Sequence, residues 1–149
     1  MDKECKKQIN KLNALWHRIL KVSNHKDLEQ RYQNLHNLNT NEISIIRIIS
    51  EKDEVIIKDI LEILDVPKST LTSMIDKLEE SGILSRAISK RDRRSYKLEL
   101  TEKGKIIQGE HIKYEEEIYG RIITSLDNYE EREEFLRLMK KIVDNISNR

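Results

Sequence analysis

The side chains best equipped for chemistry in this sequence are cations and short hydroxyls rather than nucleophiles. Lys90, Arg91, Arg93 and Arg94 crowd into the connection between Ser89 and Ser95. Cations of that reach suit a phosphate backbone or the negative potential of a narrow minor groove. Upstream, Ser69, Thr72 and Ser73 share the polar face of an expected helix with Asp76 and Lys77, and Lys68 and Thr70 stand beside them. Short hydroxyl side chains let a helix approach closely and donate hydrogen bonds to phosphates or bases. The major groove is wide enough to admit such a helix.

Net charge hides this pattern. The 28 Lys and Arg residues against 27 Asp and Glu leave +1, which alone points to no polyanion. Yet from Ile83 to Lys105 eight basic residues face three acids, a net +5, and from Glu110 to Glu134 nine acids face three bases, a net −6. A nearly neutral chain with one basic segment carries a localised electrostatic footprint. The clusters Glu115–Glu117 and Glu130–Glu134 read as solvated faces that repel a polyanion and so orient docking.

The elements that must position these groups are mostly helical. With 149 residues, 4 Gly, 1 Pro and 5% aromatics, the composition favours helix over a β-sandwich and is long enough to bury a core without disulfide or metal. Ile9, Leu12, Leu15, Trp16, Ile19 and Leu20 predict a helix over roughly Lys3–Val22. Leu28, Tyr32 and Leu35 either extend it or form a second stretch. Asn39 and Glu42 form a capping-box pair opening a helix through Ile49. A short helix on Ile57, Ile60, Leu61 and Leu64 then meets the break Asp65-Val66-Pro67, with Pro67 suited to the first turn of the next helix. That helix, Lys68 to about Glu80, turns Leu71, Met74, Ile75 and Leu78 inward and stops at Gly82. Ile83–Ile88 and the strictly alternating Tyr96–Leu100 form two strands joined by the basic connection. Thr101 caps a long helix from Glu102 to about Leu126. A last helix carries Phe135, Leu138, Met139, Ile142, Val143 and Ile146 at core spacing. The predicted fold is therefore mainly α with a small β-hairpin wing. It divides into an N-terminal helical region (1–38), a winged helix-turn-helix (39–101) and C-terminal helices (102–149).

At this level the sequence resembles a known family. Leu78-Glu79-Glu80-Ser81-Gly82-Ile83-Leu84, Arg86, Arg91-Asp92-Arg93-Arg94 and Leu98-Glu99-Leu100-Thr101-Glu102-Lys103-Gly104 together are similar to the MarR family of bacterial transcription regulators. The wing's Asp-x-Arg (Asp92, Arg94) and the Leu-Thr-x-x-Gly run (Leu100, Thr101, Gly104) are its best signatures, and the likeness covers nearly the whole chain. It implies a homodimer whose N- and C-terminal helices interlock as a dimerisation layer. It implies binding to pseudo-palindromic double-stranded DNA operators, and repression relieved by a small-molecule or oxidant effector. Carried over by position, Lys68, Ser69, Thr70, Thr72, Ser73 and Lys77 lie on the recognition helix, and Lys90, Arg91, Arg93 and Arg94 on the wing, with Arg94 the best candidate for groove insertion. Asp92 organises the wing by pairing with Arg86 or Arg94. Ser73 stands where many relatives have Arg or Lys, and Pro67 where they often have a capping Ser.

Blander and competing readings accompany these. An exposed charged loop is by itself a common solvated turn. Trp16, Tyr32 and Tyr119 are candidates for an effector pocket, although aromatics more often fill core. Cys5 lies among Lys3, Lys6 and Lys7, which favour a thiolate. It sits too far from the second element for the family's redox position, which falls near Trp16, so an ordinary exposed thiol is favoured. His17, His25, His36 and His111 are scattered, and His111 with Glu115 makes an i, i+4 ligand pair, but no His-rich run supports a zinc site. No glycine-rich phosphate loop or triad spacing suggests an enzyme, and no cofactor or metal is expected. The N-terminus lacks the apolar core of a signal peptide, no apolar run spans a bilayer, and the lone cysteine fits a reducing compartment, so a cytoplasmic location without membrane partners is expected. The alternative from another class is a winged-helix protein-interaction module without specific DNA binding.

Overall fold

Asp2 accepts the Cys5 N–H at 2.7 Å and so caps the first helix, α1 (Lys3–Ser23). The computed structural model describes residues 2–23, 31–91 and 94–147. Two compact units are present, Met1–Ile112 and Lys113–Arg149. In the first, α1 holds its whole apolar stripe, from Ile9 to Leu20, in solvent. Leu28 lies outside the described residues, so the expected second helical stretch is seen only at its end. There Gln33–Leu35 is a single 3-10 turn, closed by Leu35 N–H to Tyr32 O (3.0 Å) and His36 N–H to Gln33 O (3.2 Å). Asn34 Nδ2 secures this turn on both carboxylate oxygens of Glu110, at 2.9 and 3.0 Å.

α2 (Thr40–Glu51) begins at the expected capping box. Asn39 Oδ1 accepts from Glu42 N–H, and Glu42 Oε2 accepts from Asn39 N–H, both at 2.9 Å. Ile45, Ile46, Ile48 and Ile49 then point into the core. Val55–Ile56 forms β1, which the sequence reading did not assign. The two residues are fully buried and too few to show a period of two, so neither periodicity could mark them. α3 (Ile57–Leu61) follows directly and stops short of Leu64, which packs instead from the turn. α4 (Lys68–Glu80) is preceded by Pro67 at the cap position, one residue earlier than expected, and Leu71 N–H donates to the Pro67 carbonyl at 3.0 Å.

β2 (Leu84–Ile88) and β3 (Tyr96–Leu100) pair antiparallel, from Leu84 opposite Leu100 to Ile88 opposite Tyr96. β1 adds to the free side of β3, with Val55 opposite Leu98. Among the described residues the expected two-stranded hairpin is thus a three-stranded sheet, ordered β1-β3-β2. Ile45, Ile46, Val55, Ile60, Leu71, Ile75, Leu78 and Leu84 are fully buried together beneath it. Each such side chain contributes about 1.5–3 kcal/mol through burial.

α5 (Glu102–Thr124) starts at Thr101, whose Oγ1 accepts from Gly104 N–H at 3.2 Å and donates to Gly82 O at 2.6 Å. A Cβ on Gly104 would collide with the Ile83 carbonyl, which explains the glycine in the Leu-Thr-x-x-Gly run. In the second unit, α6 (Tyr129–Ser147) leaves Leu138, Met139, Ile142, Val143 and Ile146 exposed. Among the described residues no helix is long and apolar enough to cross a membrane.

Candidate nucleic-acid interface

α4 is built to show one face. Leu71, Met74, Ile75 and Leu78 are buried, while Lys68, Ser69, Thr70, Ser73, Asp76 and Lys77 are exposed. Thr72 is half-buried, and its hydroxyl donates to Lys68 O at 2.9 Å. The helix ends in a Schellman motif: Ile83 N–H reaches Leu78 O and Gly82 N–H reaches Glu79 O, both at 2.9 Å, with Gly82 at φ +68°. Glycine is required there because L side chains strain at positive φ. The sharp stop sends the chain straight into β2 and so fixes the wing relative to the exposed helix face.

Two polar clasps tighten this geometry. Lys77, expected on the DNA-facing set, reaches back to the core. Its Nζ donates to Glu42 Oε1 at 2.8 Å and to Asn37 O at 3.4 Å, and Glu42 is only 1% exposed. The clasp ties the start of α2 to α4, because a carboxylate this buried needs its cation. Arg86 of β2 reaches across to α4, with Nη2 2.5 Å from Asp76 Oδ1 and Nη1 bonded to Glu79 Oε2. These carboxylates, Asp76's hydrogen bond foremost, hold the Arg86 guanidinium firmly charged against its partial burial. Arg86 therefore organises the wing through the recognition-type helix. Asp92, the partner expected for it from sequence, lies outside the described residues, as does Arg93.

The described part of the wing has its own supports. Ser89 N–H donates to Ser95 O at 3.1 Å and closes the hairpin. Lys90, Arg91 and Arg94 are exposed. Arg91 Nη2 lies 2.8 Å from both carboxylate oxygens of Asp59. Arg94, Ser95 and Tyr96 line a groove with Ile57, Lys58, Leu61 and Lys68. The fold thus brings Lys68 and Arg94 together and adds Lys58, a cation that sequence reasoning missed. Its signal was present: Ile57, Ile60 and Leu61 mark the buried face of α3, which leaves Lys58 outward. The hydroxyl face of α4 and the cations of α3 and the wing form one polar, locally basic surface suited to a polyanion with grooves.

The other candidates are dispersed. Trp16 is 53% exposed, Tyr32 is buried, and Tyr119 is exposed in the second unit. Cys5 is half-buried at the start of α1. His17 and His36 are exposed, His111 is half-buried, and His25 lies outside the described residues. Among the described residues no three His, Cys, Asp or Glu side chains are grouped to hold a metal ion.

Comparison with known proteins agrees with this geometry. Residues 38–96, which run from the start of the helix-turn-helix through the wing, match the MarR family. A Bacillus subtilis (strain 168) protein described as the uncharacterized HTH-type transcriptional regulator YpoP is 38% identical over 72 residues. Those residues are 48% of this chain and 51% of that protein, so the chain spans about half the length of the relative it matches. Among solved structures, YusO from Bacillus subtilis shares the fold with a TM-score of 0.71 at 21% identity, covering 97% of this chain and 98% of that one. FabT from Streptococcus pneumoniae, solved in complex with DNA, gives 0.69 at 24% identity over 96% and 95%. Helix-turn-helix, wing and sequence match coincide on the same residues, and the chain belongs to the MarR family.

Proposed function

We propose that the chain is a MarR-type transcriptional regulator that binds a pseudo-palindromic double-stranded DNA operator as a homodimer. The observation that carries the reading is the exposed hydroxyl face of α4 beside the cations Lys58, Lys68 and Arg94 on one groove. In this reading Ser69, Thr72 and Ser73 approach the major groove, and Lys90, Arg93 and Arg94 serve phosphates or the minor groove. Residues 39–101 form the DNA-binding region. The apolar stripes of α1 and α6, exposed on this chain, meet their counterparts on a second copy in a dimerisation layer. Repression, relieved by a small-molecule effector, completes the reading as the family resemblance implies.

The test is fluorescence anisotropy on a labelled duplex covering the protein's own upstream region, against a scrambled duplex, at two salt concentrations. Preferential binding to the native duplex that loosens with salt is expected. Replacing Arg94 by Ala should lower the slope of log affinity against log salt by about 0.9, the effect of one lost phosphate contact. Absence of binding to either duplex at low salt would overturn the reading in favour of a protein-interaction module.

A further inference from the structure

We propose that Glu54 and Asp59, two carboxylates outside both the recognition-type helix and the wing, set the pose of the wing, and that Arg91 belongs to this anchor rather than to the DNA contacts. The inference rests on the DNA-binding reading above for its consequence, but not for its geometry.

Glu54 and Asp59 lie on either side of β1, the short strand that pairs with β3 of the wing. Glu54 Oε1 accepts from Ser89 Oγ at 2.6 Å and from the Arg91 main-chain N–H at 3.0 Å. Ser89 is 1% exposed, so its hydroxyl is held in place by packing as well as by this bond. Asp59 grips the other end of the same residue through the Arg91 guanidinium, and its Oδ2 also accepts Ile56 N–H at 2.9 Å at the start of α3. One residue of the wing is thus held by main chain and side chain at once, from a segment buried in the helix-turn-helix core. Arg86, bonded to Asp76 and Glu79, secures the wing's other flank to α4. With both flanks fixed, the hairpin keeps one angle relative to the face of α4.

Arg91 is poorly placed to serve as a phosphate contact at the same time. To reach a phosphate its guanidinium would leave Asp59, a carboxylate more buried than itself. Two acids, Glu54 and Asp59, would then stand beside the incoming polyanion without their cation. Arg94 differs: it lines the groove shared with Lys58 and Lys68.

The anchor is tested in two arms on the full chain. Trypsin cuts after Lys90, Arg91, Arg93 and Arg94, so the rate of first cutting in the wing reports local opening. Glu54→Ala should speed this cutting by about tenfold, the scale of losing hydrogen bonds to a charged acceptor, with the far-UV circular dichroism unchanged. Glu54→Gln, which keeps an acceptor oxygen, should lie between Glu54→Ala and the wild type and guards against misfolding of the alanine variant. In the second arm, Arg91→Ala should weaken binding to the duplex by a similar factor at every salt concentration, with the salt slope unchanged. Arg94→Ala should lower that slope by about 0.9. Asp59→Asn combined with Arg91→Ala should weaken binding no more than Arg91→Ala alone, because the pair acts as one unit. A slope lowered by Arg91→Ala as much as by Arg94→Ala would overturn the assignment of Arg91. Unchanged tryptic cutting in Glu54→Ala would overturn the anchor. If the wild type binds no duplex, the DNA-binding reading fails while the trypsin arm still decides the anchor.

Discussion

Two sets of amphipathic helices in this chain follow the same rule of spacing and end in opposite environments. On α2 and α4 the apolar stripe is closed off from water; Leu71 and Ile75 are 0% exposed. On α1 and α6 the stripe is just as regular, yet Trp16 is 53% and Ile142 is 51% exposed. Periodicity therefore reports that a face requires a partner without saying where the partner is. For α2 and α4 the partner is the sheet and α3 of the same unit, while α1 and α6 carry the proposal of a second copy. Truncating Leu71 to Ala should destabilise the protein by about 2–5 kcal/mol, the cost of lost burial plus a cavity in a packed core. Chemical denaturation followed by circular dichroism measures it. Ile142→Ala should instead leave a concentration-dependent signature: a lower melting temperature at low protein concentration and a dimer–monomer midpoint moved to higher concentration in sedimentation. If Ile142→Ala produced the same concentration-independent loss as Leu71→Ala, the contrast between the two sets would collapse.

A smaller effect sharpens the contrast at the join between α5 and the sheet. Gly104 is buried at the first turn of α5, against the Ile83 carbonyl. Gly104→Ala should destabilise the fold by about 1–3 kcal/mol, since backbone must move to admit the methyl group. Gly109 and Gly120, further along the same helix, would meet nothing within 4 Å. Alanine there should be neutral or stabilising by up to about 1 kcal/mol, because glycine is the weaker helix former. A thermal melt of the three variants ranks them, and an equal response at all three would remove the close approach as the reason for Gly104.

These contrasts also show what could be read before any coordinates existed. The helices were legible because each carries several turns of apolar spacing and a cap written in residue types, such as Asn39 with Glu42, Thr101 with Gly104, and Gly82. β1 was not, since two buried residues show no period. The basic residues of the wing and the hydroxyls of α4 were legible as a set, because their types and clustering are local. Their partners were not. That Arg86 pairs with Asp76 and Glu79, that Lys77 answers Glu42, and that Arg91 answers Asp59 depends on strands and helices brought together from positions 7 to 35 residues apart. Cations read from a sequence are counted as available; only the fold shows which are already bonded to a carboxylate.

The least disruptive probe of the comparison is pH, because two carboxylates with the same direction of shift hold very different things. Glu134 sits on exposed α6, and its ion pair with Arg137 keeps its carboxyl below the ordinary value. Glu54 is also held below the ordinary value, by the Ser89 hydroxyl first and then by the Arg91 N–H, with Lys97 adding its charge. Asp59 is pushed up by partial burial, but Ile56 N–H and Arg91, with Lys52 nearby, more than offset this and leave it lowered. A carboxylate whose value is lower folded than unfolded contributes stability fully above its unfolded value, near about 4. That contribution is lost as pH falls through the folded value. The wing anchor should therefore stay intact from neutral pH to about 5 and loosen as pH drops below about 4, while the arginines and lysines facing it remain charged. Amide hydrogen exchange at Arg91, corrected for the intrinsic pH dependence, should lose protection over that window. The amide of Arg137 should not, because its protection comes from helix hydrogen bonds that an exposed pair one turn away hardly affects. Equal loss at both would mean that α6 and the wing respond to acid as general unfolding. Loss at Arg91 alone would show that a carboxylate shifted in the same direction matters only where it joins separate elements.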